Sequence, residues 1–147
     1  MDYELFIQSN KTAVEYAEVL RNILEKKLHI KITQSKDNDS ISIYCTFFTI
    51  WIELEDDFGL IMAKEIYDFD ANIDTKIQVF GRTYDEGLNL LFRLLKCLLE
   101  YNDSLLLEEN GSYIVLKKEQ KEFTSEVLCD HKPEYPFGIL NVEVKKL

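Results

Sequence analysis

The sequence predicts an α+β fold: a mainly antiparallel sheet with two helices packed on one face, in the order β-α-β-β-β-β-α-β-β. Three observations predict it. Several short stretches alternate apolar and polar residues, the period of a half-buried strand. Two longer stretches carry apolar residues at spacings of three and four, the period of a helix with one buried face. The 147 residues include only five Gly and two Pro, so regular elements joined by short turns dominate, which favours antiparallel pairing.

Taken in order, residues 3–8 alternate Tyr3, Leu5 and Ile7 with Glu4, Phe6 and Gln8, as a strand does. Residues 10–27 form a helix whose stripe is Ala13, Tyr16, Ala17, Leu20, Ile23 and Leu24, continued by Leu28. Ser9 or Asn10 can cap it, and Thr12 and Glu15 have the spacing of a capping box. Residues 29–34 return as a strand. Residues 40–54, rich in β-branched and aromatic side chains, read as one long strand or two with a bend near Thr46. Glu55-Asp56-Asp57-Phe58-Gly59 is a turn. Residues 60–67 suit either a strand or one short helix, and are counted as a strand in the order given. Residues 73–80 alternate once more.

The second helix is the clearest element. Thr83 and Glu86 have capping-box spacing, and Leu88, Leu91, Phe92, Leu95, Leu98 and Leu99 make one stripe, widened by Leu90, Leu94 and Cys97. Residues 105–107 and 113–116 flank Asn110-Gly111, a pair that supplies the positive φ angles of a tight hairpin. Residues 117–123 are charged and read as solvated, and residues 137–144 are a candidate last strand. The length fits a single domain spanning residues 1–147, with a weakly patterned C-terminal segment from residue 117.

The formal net charge is −10, from 27 acidic and 17 basic residues. Such a chain is repelled by nucleic acid and by anionic membranes, and attracts basic partners. Acidity alone also serves solubility. With no basic-then-apolar leader and no apolar run of about 20 residues, the expected compartment is the cytoplasm.

The motifs of catalysis are missing. There is no phosphate loop, no dinucleotide fingerprint, no Gly-x-Ser-x-Gly and no His-Glu-x-x-His, so no enzyme activity, catalytic residue or cofactor is expected. The run from Asp68 to Asp74 opens like a calcium loop but has Ile73 where the sharp turn needs Gly and Val79 where a bidentate Glu is needed. Cys129-Asp130-His131 lacks the partners of a zinc site. No metal is expected. Cys45 and Cys97 read as small core hydrophobes.

The remaining signal is acid interleaved with aromatic residues. Trp51, Phe58 and Phe69 lie among Glu53, Glu55, Asp56, Asp57, Glu65, Tyr67, Asp68, Asp70 and Asp74, with Asp85 beside Tyr84 further on. Aromatics anchor interfaces, and carboxylates steer and bind Arg and Lys. Those ten acidic and tyrosine positions are the candidate partner-binding residues; the competing reading places the aromatics in the core and the carboxylates on solvated loops.

The chain resembles the immunity proteins of bacterial polymorphic toxin systems, in particular the swarming-inhibition (Sit-type) immunity family. The resembling segments are Met1-Asp2-Tyr3-Glu4-Leu5, the stretch from Ile77 to Gly87, the leucine-rich helix, and the hairpin from Ser104 to Leu116. The resemblance implies a protein that binds and neutralises a cognate toxin, and the charge implies that the toxin is basic. It carries no catalytic residues over. The alternative is a general interaction or chaperone-like module for a basic cytoplasmic protein. A homodimer, through a sheet edge or the leucine-rich helix, is compatible with the pattern.

Overall fold

In the computed structural model, which describes residues 2–128 and 135–147, the N-terminal strand lies in the middle of a large sheet. The elements are β1 (Asp2–Gln8), α1 (Ala13–Asn22) extended by a π turn (Ile23–Lys27), β2 (Thr33–Lys36), β3 (Ser40–Tyr44), β4 (Phe48–Glu53), α2 (Phe58–Tyr67), β5 (Ile73–Val79), α3 (Tyr84–Leu98), β6 (Ser104–Glu109), β7 (Tyr113–Glu119), β8 (Glu122–Ser125) and β9 (Lys145–Lys146). Their spatial order is β2-β3-β4-β5-β1-β6-β7-β8-β9. Every neighbouring pair is antiparallel except β8 and β9. The α+β class and the mostly antiparallel sheet are therefore as expected.

Strand parity divides the molecule into two layers. On one face, Tyr3, Leu5 and Ile7 of β1 join Ile50, Ile77 and Leu107 from neighbouring strands under the stripes of α1 and α3. This is the main core, with Tyr16, Leu24, Leu91, Phe92 and Leu94 fully enclosed. On the other face a second, much smaller cluster holds Phe6, Ala63, Phe69, Leu106 and Ile114, and it is what seats α2. Among the described residues no helix is long and apolar enough to cross a membrane.

Three expectations change. First, there are three α-helices, not two: residues 60–67 belong to α2, and it lies on the face opposite α1 and α3. Its inward positions include Gly59, Met62, Ala63 and Tyr67, at the helical spacings of three and four. Ile61 and Ile66 are exposed apolar residues between them, and these hide the period in the sequence. Asp68 ends the helix in the left-handed region (φ 51°), and Phe69 N–H reaches back to the Ala63 carbonyl at 3.3 Å, a Schellman closure.

Second, of the two readings of residues 40–54, one long strand is excluded and two strands meeting near Thr46 are found. Cys45 N–H donates to the Phe48 carbonyl at 3.1 Å, so the segment is a β3–β4 hairpin whose turn contains neither Gly nor Asn. Third, the sheet continues beyond β7. The charged residues expected to be solvated form the end of β7 and the start of β8, turning at Gln120 (φ 55°). Residues 137–140 make a short 3-10 turn instead of strand, and only Lys145–Lys146 pair, parallel to β8. The first return strand is also shorter and later than expected, at Thr33–Lys36.

Local signals fare unevenly. The Thr12–Glu15 capping box forms, with both reciprocal bonds (2.9 and 3.2 Å). The one expected at Thr83 does not. Its backbone (φ −122°, ψ 38°) is not the extended conformation a capping residue needs, and a 3-10 turn (Gly81–Thr83) leads into α3 instead. Asn110 and Gly111 turn the β6–β7 hairpin with φ of 46° and 73°, as their sequence requires.

Candidate functional site

A groove with a volume of about 680 Å³ lies between α2 and the sheet. Its floor is a row of side chains fixed by strand register. Trp51 on β4 is paired with Lys76 on β5, Lys76 with Glu4 on β1, and Glu4 with Glu108 on β6. All point to the α2 side because they alternate with core residues. The α2 wall supplies Phe58, Gly59, Met62, Ile66 and Tyr67, and Asp56 stands at the approach to the helix.

Like charges directly opposite one another in a sheet are unfavourable, and Glu4–Glu108 is such a pair. Each carboxyl is handled differently. Glu108 accepts a hydrogen bond from the Tyr67 hydroxyl at 2.7 Å, which ties the last turn of α2 to the sheet. Burial still pushes its pKa up, against the Tyr67 bond and a bond from the Gly111 amide. Glu4 faces Asp74, which sits diagonally across on β5 and is 2% exposed. No N–H or hydroxyl donor among the described residues reaches Glu4 Oε2 or either Asp74 oxygen. The two carboxyls therefore have one another, and share a proton. Burial first, then the bond to Asp74 and its charge, push Glu4 up to about 9, opposed by Lys76. Asp74 is also raised, chiefly by burial.

Gly59 explains how a helix can lie so close to this pair. A Cβ at that position would stand 1.9 Å from Asp74 Oδ2 and 3.0 Å from Glu4 Oε2, so only glycine allows the approach. Lys76, the groove's cation, is engaged by Glu53 at 3.0 Å.

The shared proton makes stability depend on pH. The folded-state pKa of Glu4, about 9, lies above its ordinary value of 4.5. The unfolded chain thus loses the proton first. The contribution is complete at pH below 4.5 and is lost as pH rises through 9. Urea titrations should show wild-type stability falling across that window, and Glu4→Gln should flatten the fall. The variant should gain on the order of 2 kcal/mol at the alkaline end, after allowance for solvent screening of a half-buried group. Parallel pH profiles for the two proteins would refute the shared proton.

The ten positions expected from sequence to bind a partner are divided by the fold. Glu55, Asp56 and Asp57 lead into α2, Glu65 is exposed on it, and Asp68 and Asp70 follow it, paired with Lys64 at 2.9 and 3.2 Å. Glu53 and Tyr67 are half-buried and engaged by Lys76 and Glu108. Together these line one side of the molecule. Asp74 is not the surface carboxylate expected, because strand parity turns it beneath Gly59. Asp85 is exposed at the start of α3 on the opposite side of the sheet, apart from the others. Of the aromatics, Phe69 is core, Trp51 lines the groove and Phe58 is displayed. Sequence reasoning missed Glu4, Glu108, Lys76 and the exposed Ile61 and Ile66. Cys45 and Cys97 pack at the edge of the main core, half-buried, and Cys129-Asp130-His131 lies outside the described residues.

Comparison of the chain with known protein families, with curated proteins and with solved structures finds no match. The class defined by the fold is an α+β protein with a nine-stranded sheet, counted among the described residues, and a thinly seated third helix bordering an acidic groove.

Proposed function

We propose that this chain is a non-catalytic binding protein that captures and neutralises a cognate bacterial toxin with a basic surface, holding it against α2. The observation that carries the reading is the surface of that helix. Phe58, Ile61 and Ile66 are 64%, 48% and 59% exposed, three of the seven large apolar residues displayed among the described residues. Clustered apolar residues inside a charged surround are the usual composition of an interface core and its rim.

The charge agrees. Residues 53–74 hold eight acidic residues (Glu53, Glu55, Asp56, Asp57, Glu65, Asp68, Asp70, Asp74) and one basic residue (Lys64), a formal −7 of the chain's −10. So the acidity is concentrated beside the exposed apolar helix, where it would speed and orient the approach of a cationic partner. The resemblance to toxin-immunity proteins supplies the identity of that partner.

The test is co-expression with the toxin domain that the proposal expects to be encoded beside this gene. The expected result is restored growth and a stoichiometric complex whose association slows at least about tenfold between low and high salt. Continued killing with no complex would end the proposal, and an association rate indifferent to salt would remove the role given to charge.

A further inference from the structure

We propose that the groove under α2 is a pocket for a single guanidinium side chain, an arginine presented by the partner. This rests on the reading of α2 as the binding face and narrows it to one residue type.

The walls and floor have complementary chemistry. Trp51 and Phe58 offer aromatic surface on which a guanidinium plane can stack, and Met62 and Ile66 offer apolar surface for its aliphatic stem. Glu4 and Glu108 lie on the floor, paired across β1 and β6, with Asp56 at the approach. The one lysine lining the groove, Lys76, already has Glu53 at 3.0 Å. A second, separate observation points to a missing cation. Glu4, on the groove floor, and Asp74, 2% exposed behind it under Gly59, have only the proton they share: no N–H or hydroxyl donor among the described residues reaches Glu4 Oε2 or either Asp74 oxygen. The fold brings a helix with Gly59 directly over this pair without supplying a donor to it. Buried carboxylates are ordinarily paired or hydrogen-bonded. A planar fork of N–H donors fits the two adjacent carboxyls of the groove floor, Glu4 and Glu108, and stacks on indole, whereas an ammonium does neither as well.

Proton balance follows. With a cation in the groove Glu4 no longer needs the proton it shares with Asp74, so binding at neutral pH releases one proton to the buffer. Affinity therefore rises with pH up to the value, about 9, at which free Glu4 ionises by itself. The charged groups facing this pair are Lys76 and Glu53 from β5 and β4, Glu108 from β6, and Asp56 before α2.

The experiment is a nuclear magnetic resonance titration of the whole chain with N-acetyl-arginine amide, with the lysine and citrulline amides in parallel. The expected result is saturable shifts at the Trp51 indole N–H and the Gly59 amide. Citrulline, which has the shape without the charge, should bind at least about tenfold more weakly, and lysine should fall between. Binding should tighten from pH 6 towards pH 9 for wild type and lose that trend in Glu4→Gln, whose folding is checked by its unshifted core resonances. No shift at Trp51 and Gly59, equal binding of citrulline, or an unchanged pH trend in Glu4→Gln would overturn the pocket. Arginine binding without toxin neutralisation would leave the pocket standing and remove the toxin; neutralisation without arginine binding would do the reverse.

Discussion

Replacing Phe92 by alanine is expected to destabilise the protein by about 3–5 kcal/mol. Phe92 is fully enclosed on α3. Its ring stacks on Tyr135 (centroids 6.0 Å apart, planes at 27°) and meets Phe137 edge-on at 5.6 Å. It therefore joins the helix to the segment that follows the main sheet hairpins. Tyr135 in turn donates to Glu109 and lies 3.4 Å from the Tyr3 hydroxyl, which is 2.5 Å from that of Tyr84. Losing the ring opens a cavity under a buried network of tyrosines, all with pKa values raised chiefly by burial. For a chain of this size the melting temperature should drop by roughly 10 °C or more. Phe92→Leu, which keeps most of the volume, should recover at least half of the loss. A melting temperature within a degree or two of wild type for Phe92→Ala would mean that the C-terminal segment is not anchored there.

The second large effect falls on binding. Ile61→Asp combined with Ile66→Asp places two charges on the displayed face of α2. Stability should change by less than about 1 kcal/mol, because the two side chains are already 48% and 59% exposed. Affinity for the proposed partner should fall by roughly 100- to 1,000-fold, the effect of losing two central apolar anchors. The combination separates folding from function: a protein that melts normally and no longer binds puts the interface on α2.

Much of the fold was legible in the sequence, and the exceptions have physical causes. The stripe of α3 is long and strongly periodic, and β1 alternates cleanly, so both were readable. The Asn110-Gly111 hairpin was readable because positive φ demands those residues. The α2 helix was ambiguous because Ile61 and Ile66 stand exposed between its inward positions, so the apolar run looked continuous. The turn between β3 and β4 uses Cys45, Thr46 and Phe47, none of which signals a turn.

The acidic stretch from Glu53 to Asp70 was legible as a candidate surface, since composition marks it directly. The floor of the groove was not. Glu4, Lys76 and Glu108 lie on three strands far apart in sequence, and only the register that places β1 between β5 and β6 brings them together. A signal did exist for Glu4: it occupies the non-core parity of β1 beside Phe6, a pattern of one carboxylate and one aromatic on a face that is not simply solvated. Asp74 and Asp85 show the opposite limit. Charge and proximity in sequence grouped them with the surface, but strand parity buries the first and α3 carries the second to the far side.

The most direct measurement of the α2 assignment is the equilibrium binding of the purified toxin domain to three forms of this chain: wild type, Ile61→Asp/Ile66→Asp, and Asp85→Lys. The expected result is tight binding by wild type and by Asp85→Lys, whose charge change lies on the opposite face, and binding at least about 100-fold weaker by the α2 variant. Wild-type affinity in the α2 variant, or a loss confined to Asp85→Lys, would contradict the assignment.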